Sequence, residues 1–253
     1  MPPSGLRVGV QPDEARSRLG ALGFGADDVE TLFAHFDDAE RRGKLGHGHA
    51  RIEWLETQEL EPVARPVKAA STPGFDFWES RGALGYLVLA EICAELAEAE
   101  PWPVRVVAAD AFPTGHLGYW ARWLAEAGLV AALTASSPAR LPHPDGGKPL
   151  VGTTPLAIGL PNPEGEPIVV DVSMGAVTYG DVIRGAAQPE ELVPFGGEHA
   201  HKAFALAVGL EGLISSFVGD AHGVVLVAAK PDFDGFAPDL RERATGLRLP
   251  GDS

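Results

Sequence analysis

The stretch "PLAIGLPNPEGEPIVVDVS", Pro155 to Ser173, decides the fold. Two short apolar runs, "PLAIGLP" and "PIVVDVS", flank the turn-rich "NPEGE". Strands joined by so short a connection pair antiparallel. Parallel neighbours need a crossover of about a dozen residues or more, so a mixed sheet fits better than a purely parallel one. Working outward, "VRVVAAD" (104–110) and "LVAALTAS" (129–136) read as strands on either side of a helix, "HLGYWARWLAEAG" (116–128). Leu84, Val88, Ile92 and Leu96 form a helical stripe before them. On the C-terminal side, Lys202 to Phe217 is a long and almost wholly apolar helix, expected to be buried in the core or in a subunit interface. "HGVVLVAAK" (222–230) is the last strand. Strands and helices interleave around at least one hairpin, which predicts an α/β fold with a mixed sheet and flanking helices.

The N-terminal third is helical in pattern. Pro12–Leu22 reads as a short amphipathic helix. Asp27 is expected to cap a second helix, with Glu30 completing a capping box. Val29, Leu32, Phe33 and Phe36 follow at helical spacing, and Gly43 and Gly46 end or interrupt the run. The proline-rich "EPVARPVKAASTPG" (61–74) is the best boundary. It gives an N-terminal helical region (1–74), an α/β domain (75–231) and a charged peripheral tail (232–253).

The chain has 253 residues, with 35 acidic against 20 basic side chains and a formal charge of −15. That balance argues against nucleic-acid and anionic-membrane partners. Cys93 is the single cysteine, so no internal disulfide forms. No apolar run reaches the ~18 residues of a membrane span. "MPPSGLRVGV" lacks the apolar core of a signal peptide. A soluble cytoplasmic protein is expected.

Within this acidic chain, "RRGKLGHGHARIEWL" (41–55) sets His47, His49 and Arg51 close together. A metal site, a small-anion site and a solvated helix end are the three readings. If a helix resumes at Gly48, His47 and Arg51 share one face and His49 points elsewhere. His47/His49 and His199/His201 are two H-x-H pairs that four-coordinate zinc would accept. H-x-H aligns its rings only in a strand, and both pairs lie in turn or helix-start contexts, so no metal is expected. The dinucleotide fingerprint G-x-G-x-x-G is absent; "GHGHAR" and "GHLGYW" fail its spacing. No P-loop, nucleophile elbow or cysteine metal motif occurs.

Five segments carry a resemblance: "AERRGKLGHGHARIEWL", "GHLGYWARWLAEAGLVAALTASSP", "GGKPLVGTTPLAIGLP", "VVDVSMGAVTYG" and "VPFGGEHAHKAFALAVGLEGL". In this order the chain resembles the type-2 malate/L-lactate dehydrogenase family, over roughly Gly20 to Lys230. That family includes ureidoglycolate and sulfolactate dehydrogenases, diketogulonate reductases and cyclic imino-acid reductases. Its members bind NAD or NADP on a non-Rossmann fold, so the missing fingerprint is expected. The family's S-H-G-x-x-R falls on Gly46, His47, Gly48 and Arg51. The resemblance implies that His47 donates the proton to the carbonyl or imine and that Arg51 helps hold the substrate carboxylate. The chemistry agrees: an imidazole titrates near neutrality, and a guanidinium is a planar fork matching a carboxylate. The bland alternative is two cations finishing a helix C-terminus.

For the cofactor, the resemblance points to Ser136, to Thr153 and Thr154, to Asp171, Val172 and Ser173 at a strand end, and to Lys202. A strand-end carboxylate accepts ribose hydroxyls or an amide, and a lysine meets a pyrophosphate. Three departures stand out. Pro113 occupies the position where many members carry a histidine, and His116 reads either as its substitute or as a helix cap. Thr154 replaces an asparagine. The loop before "VPFGG" is reduced to "AAQPEEL", and much of the family's C-terminal extension has no counterpart. The expected protein is an NAD(P)-dependent oxidoreductase, a homodimer, interconverting a small anionic 2-oxo acid or cyclic imino acid with its reduced form. The competing expectation is a degenerate member that binds a carboxylate ligand or a partner without turnover.

Overall fold

A computed structural model describes residues 10–99, 103–233 and 235–252. Most of the N-terminal stretch read for a signal sequence lies outside them. Helices α1 (Pro12–Ala21), α2 (Ala26–Arg41) and α3 (Ala50–Leu55) come first, with a 3-10 turn at Leu45–His47 between the last two. The central elements are β1 (Val67–Thr72), β2 (Phe75–Glu79), α4 (Gly85–Glu98), β3 (Arg105–Asp110), α5 (Leu117–Glu126) and β4 (Val130–Ala135). There follow β5 (Leu141–His143), β6 (Gly146–Val151), β7 (Leu156–Leu160), β8 (Ile168–Val172) and α6 (Tyr179–Ile183). Helix α7 (Ala200–Val218), β9 (Gly223–Ala229) and α8 (Phe236–Arg243) complete the chain.

Seven strands form one sheet in the order β1-β2-β3-β9-β4-β7-β8, and β5 and β6 form a separate hairpin. Only β2 and β3 run parallel; β7 and β8 are the antiparallel pair read from Pro155–Ser173. The mixed sheet therefore stands as expected. Alternation along the strands divides the core. Val107 and Ala109 face a large cluster with Tyr86, Leu117 and Trp120 from α4 and α5 and Phe36 from α2. Ala108 and Val225 face the other way, onto Ile214 of α7. The large cluster runs from Ala15 to Ala228, and the division after residue 74 falls in the turn joining β1 to β2.

Several expectations change. Gly25, not Asp27, is the N-cap of α2, and no side chain caps it. Asp27 and Asp28 lie inside the first turn, where negative charge meets the positive end of the helix, and Glu30 pairs with Arg16 at 2.7 Å instead. The tail stays on the surface, with Ala237 its one buried residue among those described, but it is anchored. It includes α8 and folds back, so that the Gly251 carbonyl accepts from Arg122 (2.7 Å) and Arg42 (3.1 Å). Helix α7 is not enclosed within the chain: Ala203, Ala207 and Ile214 are its buried residues, while Leu206, Val208, Leu213 and Phe217 are 41–50% exposed. With the turn before it, Gly197–Val218 is long and apolar enough to cross a membrane, the one such helix among the described residues. Its small residues lie on the sheet, and Glu211 in its middle accepts from the Gly152 amide (2.7 Å) and the Thr154 hydroxyl (3.0 Å).

Candidate active site

The site forms where the 3-10 turn, α6 and the C-terminal ends of several strands converge. Its closest joint is between two glycines. A Cβ on Gly180 would stand 2.1 Å from the Gly46 carbonyl oxygen, and one on Gly46 would stand 2.9 Å from the Gly180 carbonyl carbon. Only hydrogen at both positions lets the loop carrying Tyr179 lie against the turn carrying His47. Thr178 and Asp181 fix that loop with a reciprocal capping box.

A cavity of about 350 Å³ opens beside this joint. His47, Arg51 and His116 line it, as do Ser136, Thr153, Asp171 and Ser173. Seven of the ten expected residues are thus brought together. The other three lie elsewhere for local reasons. Val172 alternates outward between Asp171 and Ser173 and is 41% exposed. Thr154 is fully buried, its hydroxyl spent on Glu211. It holds φ +26°, a region that suits the family's asparagine better than a β-branched side chain. Lys202 is exposed on α7.

Arg51 resumes the helix as expected, and its Nε donates to the Gly46 carbonyl at 2.9 Å. That bond ties the guanidinium to the turn that carries His47. The Nδ1 of His47 is buried without a hydrogen-bond partner. Burial, reinforced by Arg51 and Lys44, lowers the His47 pKa to about 3. The ring is therefore neutral. His116, N-cap residue of α5, makes no side-chain cap bond. Its Nε2 lies 3.5 Å from Asp38 and its Nδ1 3.8 Å from Asp171. Burial first, then His35, Lys44 and His47, pushes its pKa well below the usual range.

Sequence reasoning missed several groups. Lys44 pairs with Asp171, so that carboxylate is not free in the way a ribose acceptor was expected to be. The His35 imidazole is fully buried and accepts the His116 backbone N–H at 3.2 Å. Arg140 and Tyr179 face the cavity from β5's approach and from α6. Arg140 and Tyr179 come from separate segments, so no local spacing announces them, whereas Lys44 lies in the 41–55 stretch itself, three residues before His47. The histidine spacing in α2 did carry a signal, since His35 falls between Leu32 and Phe36 on the apolar face.

Neither H-x-H pair is assembled with the other. His49 is buried and stacked on Phe33, with ring centroids 6.0 Å apart. His199 and His201 are exposed, with centroids 6.2 Å apart. Among the described residues no group of three or more His, Cys, Asp or Glu is placed to hold a metal. Activity is expected to survive exhaustive chelation. Stoichiometric zinc, with activity lost on chelation and restored by zinc, would give the pairs a role.

The profile of the malate/L-lactate dehydrogenase family matches residues 12–199, most of the chain. The chain belongs to the malate/L-lactate dehydrogenase family. Among curated relatives of this family member, a Δ(1)-pyrroline-2-carboxylate/Δ(1)-piperideine-2-carboxylate reductase of Pseudomonas aeruginosa is 34% identical over 121 residues, covering 38% of this chain and 35% of that protein. A (2R)-3-sulfolactate dehydrogenase (NADP(+)) of Chromohalobacter salexigens is 29% identical over 191 residues, covering 72% of this chain and 56% of that protein. The matches thus span from about a third to just over half the length of these two relatives. A solved structure of delta1-piperideine-2-carboxylate reductase from Pseudomonas syringae superposes with a TM-score of 0.76 at 24% identity, over 95% of this chain and 89% of that one. It shows that the fold is shared.

Proposed function

We propose that this family member is an NAD(P)-dependent oxidoreductase that interconverts a small 2-oxo acid, or a cyclic imino acid, with its reduced form. The observation that carries the reading is the pairing of His47 and Arg51 in one cavity, joined through the Gly46 carbonyl. The cavity also fits part of a dinucleotide. Ser137 Oγ is buried there without a hydrogen-bond partner, and Thr153 and Ser173 line the same wall. Ser136 also lines it, although its own Oγ already accepts the Gly223 amide at 2.9 Å. These residues would hold the nicotinamide end. When bound, the reduced nicotinamide supplies a hydride.

The chain's own groups do the rest. Arg51 holds the substrate carboxylate on its two terminal nitrogens while Nε stays anchored to Gly46. The reacting carbon then lies beside the His47 imidazole, which gives the proton to the carbonyl oxygen or imine nitrogen and takes it back in oxidation. His116 lies behind, its ring centroid 6.2 Å from that of His47, between two carboxylates. The test is a panel of 2-oxo acids and cyclic imines assayed with NADH and with NADPH by loss of absorbance. No turnover with any of them would sink the reading.

Arg51→Lys keeps the charge but not the fork. It is expected to weaken apparent substrate affinity and turnover. Arg51→Ala should cost more, about 1.5–3 kcal/mol. Cofactor titration should stay nearly unchanged in both. Intact substrate affinity with collapsed cofactor binding would make Arg51 a cofactor residue.

The same proposal includes a cytoplasmic homodimer, since the reaction draws on the nicotinamide pool and α7 presents an exposed apolar face. Light scattering after size exclusion should give twice the chain mass, and Leu213→Glu should halve it. A monomeric wild-type chain would contradict this.

A further inference from the structure

The cavity holds more positive charge than one carboxylate requires. Lys44 is neutralised by Asp171, and Asp181 by Arg184 at 3.0 Å. The histidines lining it, His47 and His116, are held neutral by burial. Two guanidiniums remain, Arg51 and Arg140. Arg51 has the Gly46 carbonyl and, at 5.6 Å, the Trp54 ring. Arg140 lies over Tyr179, its central carbon 3.3 Å from the ring centroid. Among the described residues neither has a carboxylate partner, although the chain carries 35 acidic side chains. An unpaired, half-buried cation is costly unless a ligand completes it. Burial lowers the Arg140 pKa, Tyr179 raises it by charge and by a side-chain hydrogen bond, and Arg51 lowers it again, which places the two arginine charges within each other's field.

The route from one arginine to the other is short. Arg51 is bonded to Gly46, Gly46 touches Gly180, and Tyr179 beside Gly180 carries Arg140 on its face. The contact with Tyr179 fixes the guanidinium, and the N–H groups not bonded to Tyr179 remain for a flat anion. Arg140 also reaches the cavity from a different segment than Arg51.

Resting on the oxidoreductase reading above, we propose that Arg140, seated on Tyr179, is the second anion-binding group of the site and selects substrates with two anionic ends. Such a substrate is a 2-oxo or imino acid bearing a further carboxylate or sulfonate. One end would lie on Arg51 and the other on Arg140.

Calorimetric titration of the full chain with malate and with lactate, with and without NADPH, tests this. The two acids share the 2-hydroxy acid head and differ in the second carboxylate. Malate is expected to bind at least about 10-fold more tightly, the usual worth of one charge-assisted contact. Arg140→Gln should abolish the preference and leave lactate affinity within about two-fold, since only the far end of malate meets Arg140. Arg140→Lys should restore part of it. Thermal unfolding of both variants separates misfolding from lost recognition. Malate bound no more tightly than lactate, with or without NADPH, overturns the proposal. So does a preference that persists in Arg140→Gln. The same anion chemistry could come from a cofactor phosphate. If Arg140→Gln weakens NADPH but not NADH and leaves the malate preference intact, Arg140 serves the cofactor and the proposal fails. Malate preference without turnover of any 2-oxo acid or cyclic imine in the panel would spare this inference and sink the oxidoreductase reading, so the two failures are distinguishable.

Discussion

Turnover of the His47→Ala protein is expected to fall about 10²–10⁴-fold, the usual worth of a positioned acid–base group, with cofactor affinity nearly unchanged. Burial holds His47 neutral, with a pKa of about 3. A neutral imidazole accepts the hydroxyl proton of a 2-hydroxy acid as it stands. Reduction needs the proton first. Part of the depression comes from Arg51 and Lys44, and a carboxylate bound on Arg51 cancels its share. Substrate binding therefore raises the His47 pKa toward the range where it donates. The unpartnered Nδ1 marks the ring as incompletely satisfied by the protein alone. His47→Gln keeps a polar side chain of similar reach but has no proton to give or take, and it should be nearly as slow. Steady-state kinetics with a parallel NAD(P)H titration checks both variants. Full activity in either correctly folded variant would remove His47 from the chemistry.

What the sequence made legible follows from local periodicity. The β7–β8 hairpin and the stripes of α2, α4 and α5 each announce themselves within a dozen residues. His47 and Arg51 were found through a contiguous motif, and the cavity unites them. Hairpins β1–β2 and β5–β6 were not read. β1 lies in a proline-bounded stretch that looks like a linker, and β6 "GGKPLV" has glycines where strand formers were sought. Arg140, Tyr179 and Lys44 belong to the site through tertiary contacts, the first two through the Gly46–Gly180 joint. A close approach of two backbones has no signature in either local stretch. The apolar composition of α7 says that its outward face will be covered, by the core or by a second subunit, and not by which.

The protein is also expected to lose stability steeply as pH falls from about 6.5 to 4.5, before its carboxylates titrate. The cause is a stack of buried imidazoles. His35 is fully buried among Phe36, Tyr86, Tyr119 and Trp120. Its Nε2 accepts the His116 amide, so protonation there breaks a bond as well as charging the core. His35, His47 and His116 all have lowered pKa values with burial as the leading cause. The sign follows. Between the folded and unfolded values the unfolded chain binds more protons, so stability rises with pH and is lost as pH drops below about 6.5. Each histidine contributes a slope of up to ~1.4 kcal/mol per pH unit, and three together about 4. His47 stops contributing near pH 3. Carboxylates with lowered values, such as Glu56 and Asp181, lose their stabilising charge only further down. Against a stability of roughly 5–15 kcal/mol, such a slope is enough to unfold the chain near pH 4–5. Urea midpoints measured from pH 7.5 to 4.5 give the slope directly. A slope of two protons would mean that Asp38 and Asp171 hold a proton on His116. A flat profile down to pH 4.5 would show that the histidine stack charges without cost. His35→Phe, which keeps a ring among the aromatics but forgoes the bond to His116, should flatten the slope by one proton.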